Sequence, residues 1–228
     1  MAISLRRTDD TSSTFVKILV YGQAGAGKTS LISSLPDPVV LSAEGGLLSL
    51  SGFSIPFVEI TSMAELKDAY EWLTSSDEAK DFKSVAIDSI SEIAEVVLSA
   101  EKKATKDPRQ AYGALQEQMG DIIRGFRDIP NRHVYMSAKV EKTQDEMGRI
   151  LYGPSMPGNK LGQMLPYFFD EVLALRVEKD EEGIPQRALM TDSDGLWQAK
   201  DRSGRLDNWE QPDLGLVINK ILGGKIDG

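Results

Sequence analysis

Residues 22–29 read Gly-Gln-Ala-Gly-Ala-Gly-Lys-Thr, which satisfies G-x-x-x-x-G-K-[ST] at every fixed position. Glycines at this spacing let successive backbone N–H groups curl around a phosphate chain. The lysine reaches the β- and γ-phosphates, and the threonine hydroxyl joins a magnesium shell. Gly22, Gln23, Ala24, Gly25, Ala26, Gly27, Lys28, Thr29 and Ser30 are therefore the candidate nucleotide contacts, with Lys28 also catalytic and Thr29 a metal ligand. The pattern carries weight only between a strand and a helix. The apolar run from Phe15 to Gly22 supplies the strand, and a helix is expected from Lys28, its dipole favouring an anion.

A magnesium ion at such a loop needs an acid at the end of another buried strand. Asp88, after Val85, Ala86 and Ile87, is placed for it, the bland alternative being an Asp that caps the next helix. Ser89 rather than Glu follows Asp88, so a base for water must come from elsewhere, and Glu44 at the end of the second strand is the candidate. Ser137 and Lys139 lie at the end of the strand His133 to Lys139, where they could sense a γ-phosphate, although Ser137 serves equally as a strand terminator. A guanine-reading Asn-Lys-x-Asp is missing, because Asn159 and Lys160 continue as Leu-Gly. The expected cofactors are ATP and Mg²⁺.

These residues need a scaffold, and the hydrophobic pattern supplies one. Apolar runs at 15–22, 38–42, 84–90 and 133–139 read as buried strands. Met63, Leu66, Ala69, Tyr70 and Leu73, and then Tyr112, Leu115, Met119, Ile122, Ile123 and Phe126, recur at helical spacing. Strands alternating with helices predict an α/β fold with a mainly parallel sheet flanked by helices. After Asp170 the pattern changes, and Glu171 to Thr191 reads as two strands, with a third between Gly195 and Leu206, forming a C-terminal antiparallel extension. The expected organisation is a flexible arm at 1–14, a single domain at 15–222 and a flexible tail at 223–228.

Composition narrows the chemistry. The 228 residues are 41% hydrophobic and 27% charged, with no cysteine and one histidine, His133. Disulfides, Cys-ligated zinc, iron–sulfur clusters, thiol nucleophiles and multi-histidine metal sites are excluded. No run reaches the length of a membrane span and the N-terminus turns polar too early for a signal peptide, so a cytoplasmic protein with no membrane partner is expected. A net charge of −9 opposes a globally basic nucleic-acid coat but leaves room for a local basic groove.

Taken in order, GQAGAGKT, SAEGG at 42–46, VAIDS at 85–89 and YMSAK at 135–139 make the chain resemble the RecA-type recombinase core, a P-loop ATPase fold. With AKDRSGRL at 199–206, it more closely resembles the short phage single-strand annealing ATPases of the Sak-four group. The resemblance covers about Phe15 to Leu222. It implies that a glutamate after the second strand, here Glu44, activates water. It departs where RecA-type cores carry Asn-Gln and this chain has Ser137 and Ala138, so the residue that signals ATP state to DNA is not carried over.

The resemblance also implies two mobile DNA-lining loops, here 102–110 and 140–158. In the first, Lys102, Lys103, Lys106 and Arg109 outweigh Asp107, an excess able to neutralise a few phosphates, although such runs are commonly solvated helix ends. In the second, Lys142 and Arg149 face Glu141, Asp145 and Glu146, and Tyr152 is either a base-stacking ring or a packed loop anchor. Lys200 and Arg202, with Arg205, lie where RecA-like filaments send cations across to a neighbour's nucleotide; pairing with Asp201, Asp207 or Glu210 is the local alternative. The expected function is ATP-dependent single-stranded DNA binding and annealing in phage-type recombination, in the host cytoplasm. The expected partners are single-stranded DNA, further copies in an oligomer or filament, and a single-strand binding protein. The rival is a nucleotide-controlled module for a protein partner. A small-molecule kinase finds no acceptor or lid signal.

Overall fold

A computed structural model describes residues 15–223. The expected arm at 1–14 and the tail beyond 223 lie outside the described residues. In chain order the elements are β1 (Lys17–Gly22), β2 (Pro38–Ser42), β3 (Phe57–Glu59), α1 (Met63–Ser75), β4 (Ser84–Asp88), α2 (Ile90–Ala104), α3 (Pro108–Arg127), β5 (His133–Gln144), β6 (Ile150–Ser155), α4 (Asn159–Met164), β7 (Glu171–Lys179), β8 (Pro185–Met190), β9 (Lys200–Asp201), β10 (Trp209–Glu210) and α5 (Leu214–Ile221). All the strands share one sheet. Its parallel part runs β7-β1-β5-β4-β2-β3; β8, β10 and β9 add antiparallel pairings after Asp170, as the change of pattern there predicts, and β6 adds one more before it.

The central strands are covered on both faces, which is why they read as unbroken apolar runs rather than as alternation. Along β1, Leu19 and Tyr21 enter one core with α1, α2 and α3, through Leu73, Ile93, Val97, Met119 and Ile123. Ile18 and Val20 enter the other, with Leu31, Ile32, Val217 and Ile218. The helices begin where short polar side chains satisfy orphan N–H groups: Ser62 accepts from Glu65 N, Ser89 from Glu92 N, and Asp107 from Arg109 N with Pro108 just inside. Arg132 ties the α1 side to the sheet, its buried guanidinium donating to the carbonyls of Leu73, Ala79 and Phe82 at 2.6, 2.5 and 3.1 Å.

Four expectations change. The helix expected from Lys28 is only a short 3-10 turn, Ser30–Ser34. Pro36 bars Leu35 from the helical region, Leu35 is extended, and Pro38 opens β2. The expected loop at 102–110 is the end of α2, a short connection and the start of α3. The expected loop at 140–158 is largely a hairpin, because β5 continues past Lys139 and pairs with β6 from Lys139↔Ser155 to Gln144↔Ile150. The strand expected within 195–206 shrinks to β9.

Candidate functional site

β1 ends at Gly22, where a side chain cannot fit: a Cβ there would lie 2.8 Å from the carbonyl oxygen of Leu175 on β7. The chain then turns through Gly25 and Gly27, whose φ values of 75° and 108° favour glycine. Added Cβ atoms would meet nothing within 4 Å at Gly25, and only the Arg187 side chain at Gly27. The glycines thus face open space, as a phosphate cradle requires. Lys28 folds back along this loop, donating from Nζ to Gly22 O at 2.9 Å and Gln23 O at 3.1 Å. Burial lowers its pKa from the usual lysine value, opposed by the charges of Glu44 and Asp88. Tyr135, buried in the neighbouring strand β5, fixes the loop by donating to Lys28 O at 2.8 Å, and burial holds its phenol protonated well above the ordinary range.

β4 delivers Asp88 beside that loop. Thr29 Oγ1 donates to Asp88 Oδ2 at 2.6 Å, and Ser137 Oγ, from within β5, donates to Oδ1. Asp88 is 2% exposed, so both carboxylate oxygens are oriented in a dry setting. Ser89, joined to Asp88 by a cis peptide bond, caps α2. Its hydroxyl also donates to Glu44 Oε1 at 2.5 Å, while Ala43 N donates to Asp88 O at 2.8 Å. Glu44 is exposed to solvent beside this group. Lys28, Thr29, Asp88, Ser137 and Glu44 therefore converge at the C-terminal edge of the parallel strands. Lys139 reaches the same edge but forms an ion pair with Glu92 at 2.7 Å, and the hydrogen bond to Glu92 raises its pKa.

The donor set suits magnesium. A threonine hydroxyl and a carboxylate are hard oxygen ligands already within hydrogen-bond distance, leaving the remaining positions to phosphate and water. Among the described residues no group of three or more His, Cys, Asp or Glu could hold a metal alone.

The other expected residues lie apart. Lys102, Lys103, Lys106 and Arg109 are exposed around the α2–α3 connection, and Lys102 lies over the ring of Tyr112 at 5.6 Å. Lys142 is exposed on the β5–β6 hairpin, and Arg149 pairs with Asp145 at 2.7 Å. Tyr152 stacks on Trp197 at 4.4 Å, and Arg176 lies over the same indole at 4.4 Å. Lys200 Nζ donates to Pro166 O and Phe169 O, and Arg202 pairs with Asp170 at 2.8 Å. Lys200 lies on β9, which pairs with Glu171 and Val172 at the start of β7, and Arg202 directly follows that strand, whereas Gly22 pairs with Leu175 further along. Both cations thus sit towards the sheet edge opposite their own phosphate loop.

Sequence reasoning missed Arg187, whose Nε donates to Ala26 O at 3.0 Å across 161 residues, and the roles of Ser89 and Tyr135. Only the serine adjoining Asp88 carried a local signal, as a helix cap.

A cleft of 640 Å³ opens between the β5–β6 hairpin, α4 and residues 193–198, walled by Tyr152 and Trp197 and lined by Glu141, Asp145 and Glu146. Among the described residues no helix is long and apolar enough to cross a membrane.

Comparison with solved structures finds an ATPase from the type III secretion system of pathogenic bacteria, 14% identical with a TM-score of 0.48. The match covers 71% of this chain and 52% of that one, so the chain spans about half the length of that protein. A KaiC-like protein from Pyrococcus horikoshii OT3 is 12% identical with a TM-score of 0.42, over 77% of this chain and 78% of that one. No curated protein matches the sequence. The phosphate loop, Asp88 and the strands β1, β5 and β4 that align them all fall within residues 14–203, which match the model of the AAA domain, and the chain belongs to that family.

Proposed function

We propose that the chain is a magnesium-dependent ATPase whose nucleotide state governs the binding and annealing of single-stranded DNA. The observation that carries the ATPase reading is the hydrogen bond from Thr29 to Asp88, which brings the phosphate loop, the acidic strand end and Glu44 to one edge. Lys28 would exchange the carbonyls of Gly22 and Gln23 for β- and γ-phosphate oxygens. Glu44, oriented by Ser89, takes a proton from water as the water oxygen attacks the γ-phosphorus and the bond to ADP breaks, releasing ADP and phosphate. Mg²⁺, when bound, neutralises charge on the phosphate oxygens.

The DNA part rests on the exposed cations Lys102, Lys103, Lys106 and Arg109 around one helix–helix connection, and on the RecA-type resemblance described above. Lys200 and Arg202 can meet a phosphate loop only on another copy, which makes an oligomer or filament part of the proposal. One observation favours the rival, a nucleotide-controlled module for a protein partner: Glu141, Asp145 and Glu146 line the cleft beside the hairpin and repel phosphate.

The test is a titration of fluorescent single-stranded DNA with and without MgATP at two salt concentrations, beside Lys28→Ala and with phosphate release followed in parallel. ATP-dependent binding that weakens with salt and is lost in the variant supports the proposal. Phosphate release without DNA binding under any condition moves the conclusion to the protein-partner module.

A further inference from the structure

The geometry points to Arg187 as a nucleotide-contacting residue of the same chain, a second cation that grips the phosphate chain from the β7–β8 hairpin. This rests on the nucleotide site proposed above. Arg187 lies on β8 opposite Val177 of β7, two rungs beyond the Leu175↔Leu189 pair. Side chains two apart on a strand share a face. Leu189 is buried in the core beneath the phosphate loop, so Arg187 is carried to that face just where the sheet edge gives way to solvent.

The hairpin that carries it is braced. Asp180 Oδ1 accepts from the backbone N–H groups of Glu182 and Ile184 at 3.0 and 2.8 Å, its Oδ2 accepts from Gln186 Nε2 at 2.8 Å, and Gly183 takes a φ of 81° at the turn.

Arg187 uses one of its nitrogens on the loop itself, Nε donating to Ala26 O. Its Nε and Cδ atoms lie 3.7 and 3.8 Å from where a Cβ on Gly27 would stand. Among the described residues its two terminal nitrogens have no hydrogen-bond or ion-pair partner, although the chain carries 35 acidic residues. Two other basic side chains near this edge are already engaged, Lys28 on loop carbonyls and Lys139 with Glu92. A guanidinium that spends one donor on fixing its own position against the glycine-rich loop and leaves a forked pair without a protein partner is suited to phosphate oxygens. Lysine cannot do both at once, because its ammonium is a single point.

The test measures MgATP binding by calorimetry for the full chain and for Arg187→Ala, Arg187→Gln and Arg187→Lys, with thermal midpoints measured without nucleotide and Lys28→Ala as reference. Glutamine keeps a donor for Ala26 O but no charge, which separates gripping phosphate from bracing the loop. Alanine and glutamine are each expected to weaken MgATP at least about tenfold with the thermal midpoint little changed, and lysine to fall between them and the wild type. Wild-type affinity in Arg187→Gln, or in Arg187→Ala, overturns the inference while Lys28→Ala still loses binding. If Arg187→Ala fails to fold, the glutamine and lysine variants decide alone. A wild-type chain that binds no MgATP, or a Lys28→Ala chain that binds it normally, overturns the nucleotide site itself and the inference with it.

Discussion

Thr29 and Asp88, 59 residues apart in sequence, are joined by a 2.6 Å hydrogen bond between a hydroxyl on the phosphate loop and a carboxylate at the end of β4. Ile87 of β4 and Leu19 of β1 both pair with Met136 of the intervening β5, so the parallel register is what brings the two strand ends together. Asp88 receives its second hydrogen bond from Ser137, on that intervening strand.

Ser137→Ala removes a donor from a buried carboxylate oxygen. The expected cost is about 1.5–3 kcal/mol, the range for hydrogen bonds to charged groups, read as a lower urea midpoint with an unchanged denaturant slope.

Glu44→Gln keeps the shape of the group held by Ser89 and removes its basicity. Phosphate release is expected to fall about 100-fold or more, with MgATP affinity retained. A turnover equal to wild type assigns the base elsewhere.

Arg132→Met leaves the carbonyls of Leu73, Ala79 and Phe82 without their donor in a buried place. Loss of such a network costs about 3 kcal/mol or more, so the thermal midpoint should drop by several degrees. A midpoint within a degree of wild type would show that other groups satisfy these carbonyls.

Two buried groups shape the pH dependence of stability in opposite senses. Burial, with the neighbouring Asp201 and Asp170, pushes the Glu171 carboxyl up from 4.5 to about 8. The folded chain therefore keeps a proton that the unfolded chain gives up, and this stabilisation, full below pH 4.5, is lost as pH rises to about 8. Burial, helped by Lys17, pulls His133 down from 6.5 to about 4, so its contribution is full above pH 6.5 and is lost as pH falls to about 4. The two oppose each other between 4.5 and 6.5, and Glu171 acts alone between 6.5 and 8. There, stability is expected to fall by up to about 1.4 kcal/mol per pH unit, a slope that Glu171→Gln removes in urea titrations.

The phosphate loop and the buried strands were legible because each is written locally. Eight consecutive residues specify the cradle, and strands covered on both faces announce themselves as unbroken apolar runs. The helix expected after Lys28 failed because Pro36 and Pro38, a few residues on, leave room only for the turn Ser30–Ser34. The β5–β6 hairpin was read as a loop because Val140 to Ser155 is mostly polar and half-exposed, so pairing rather than burial defines it. Arg187 and Tyr135 were invisible as site residues because their contacts to Ala26 and Lys28 span 161 and 107 residues.

The hydroxyl of Ser91, in the first turn of α2, accepts from Lys139 N at 3.0 Å and donates to Ser155 O at 2.7 Å. It therefore clasps both legs of the β5–β6 hairpin two residues after the Asp88–Ser89 bond. A displacement of Asp88 would therefore act, through the start of a single helix, on the root of the hairpin that borders the acidic, aromatic-walled cleft.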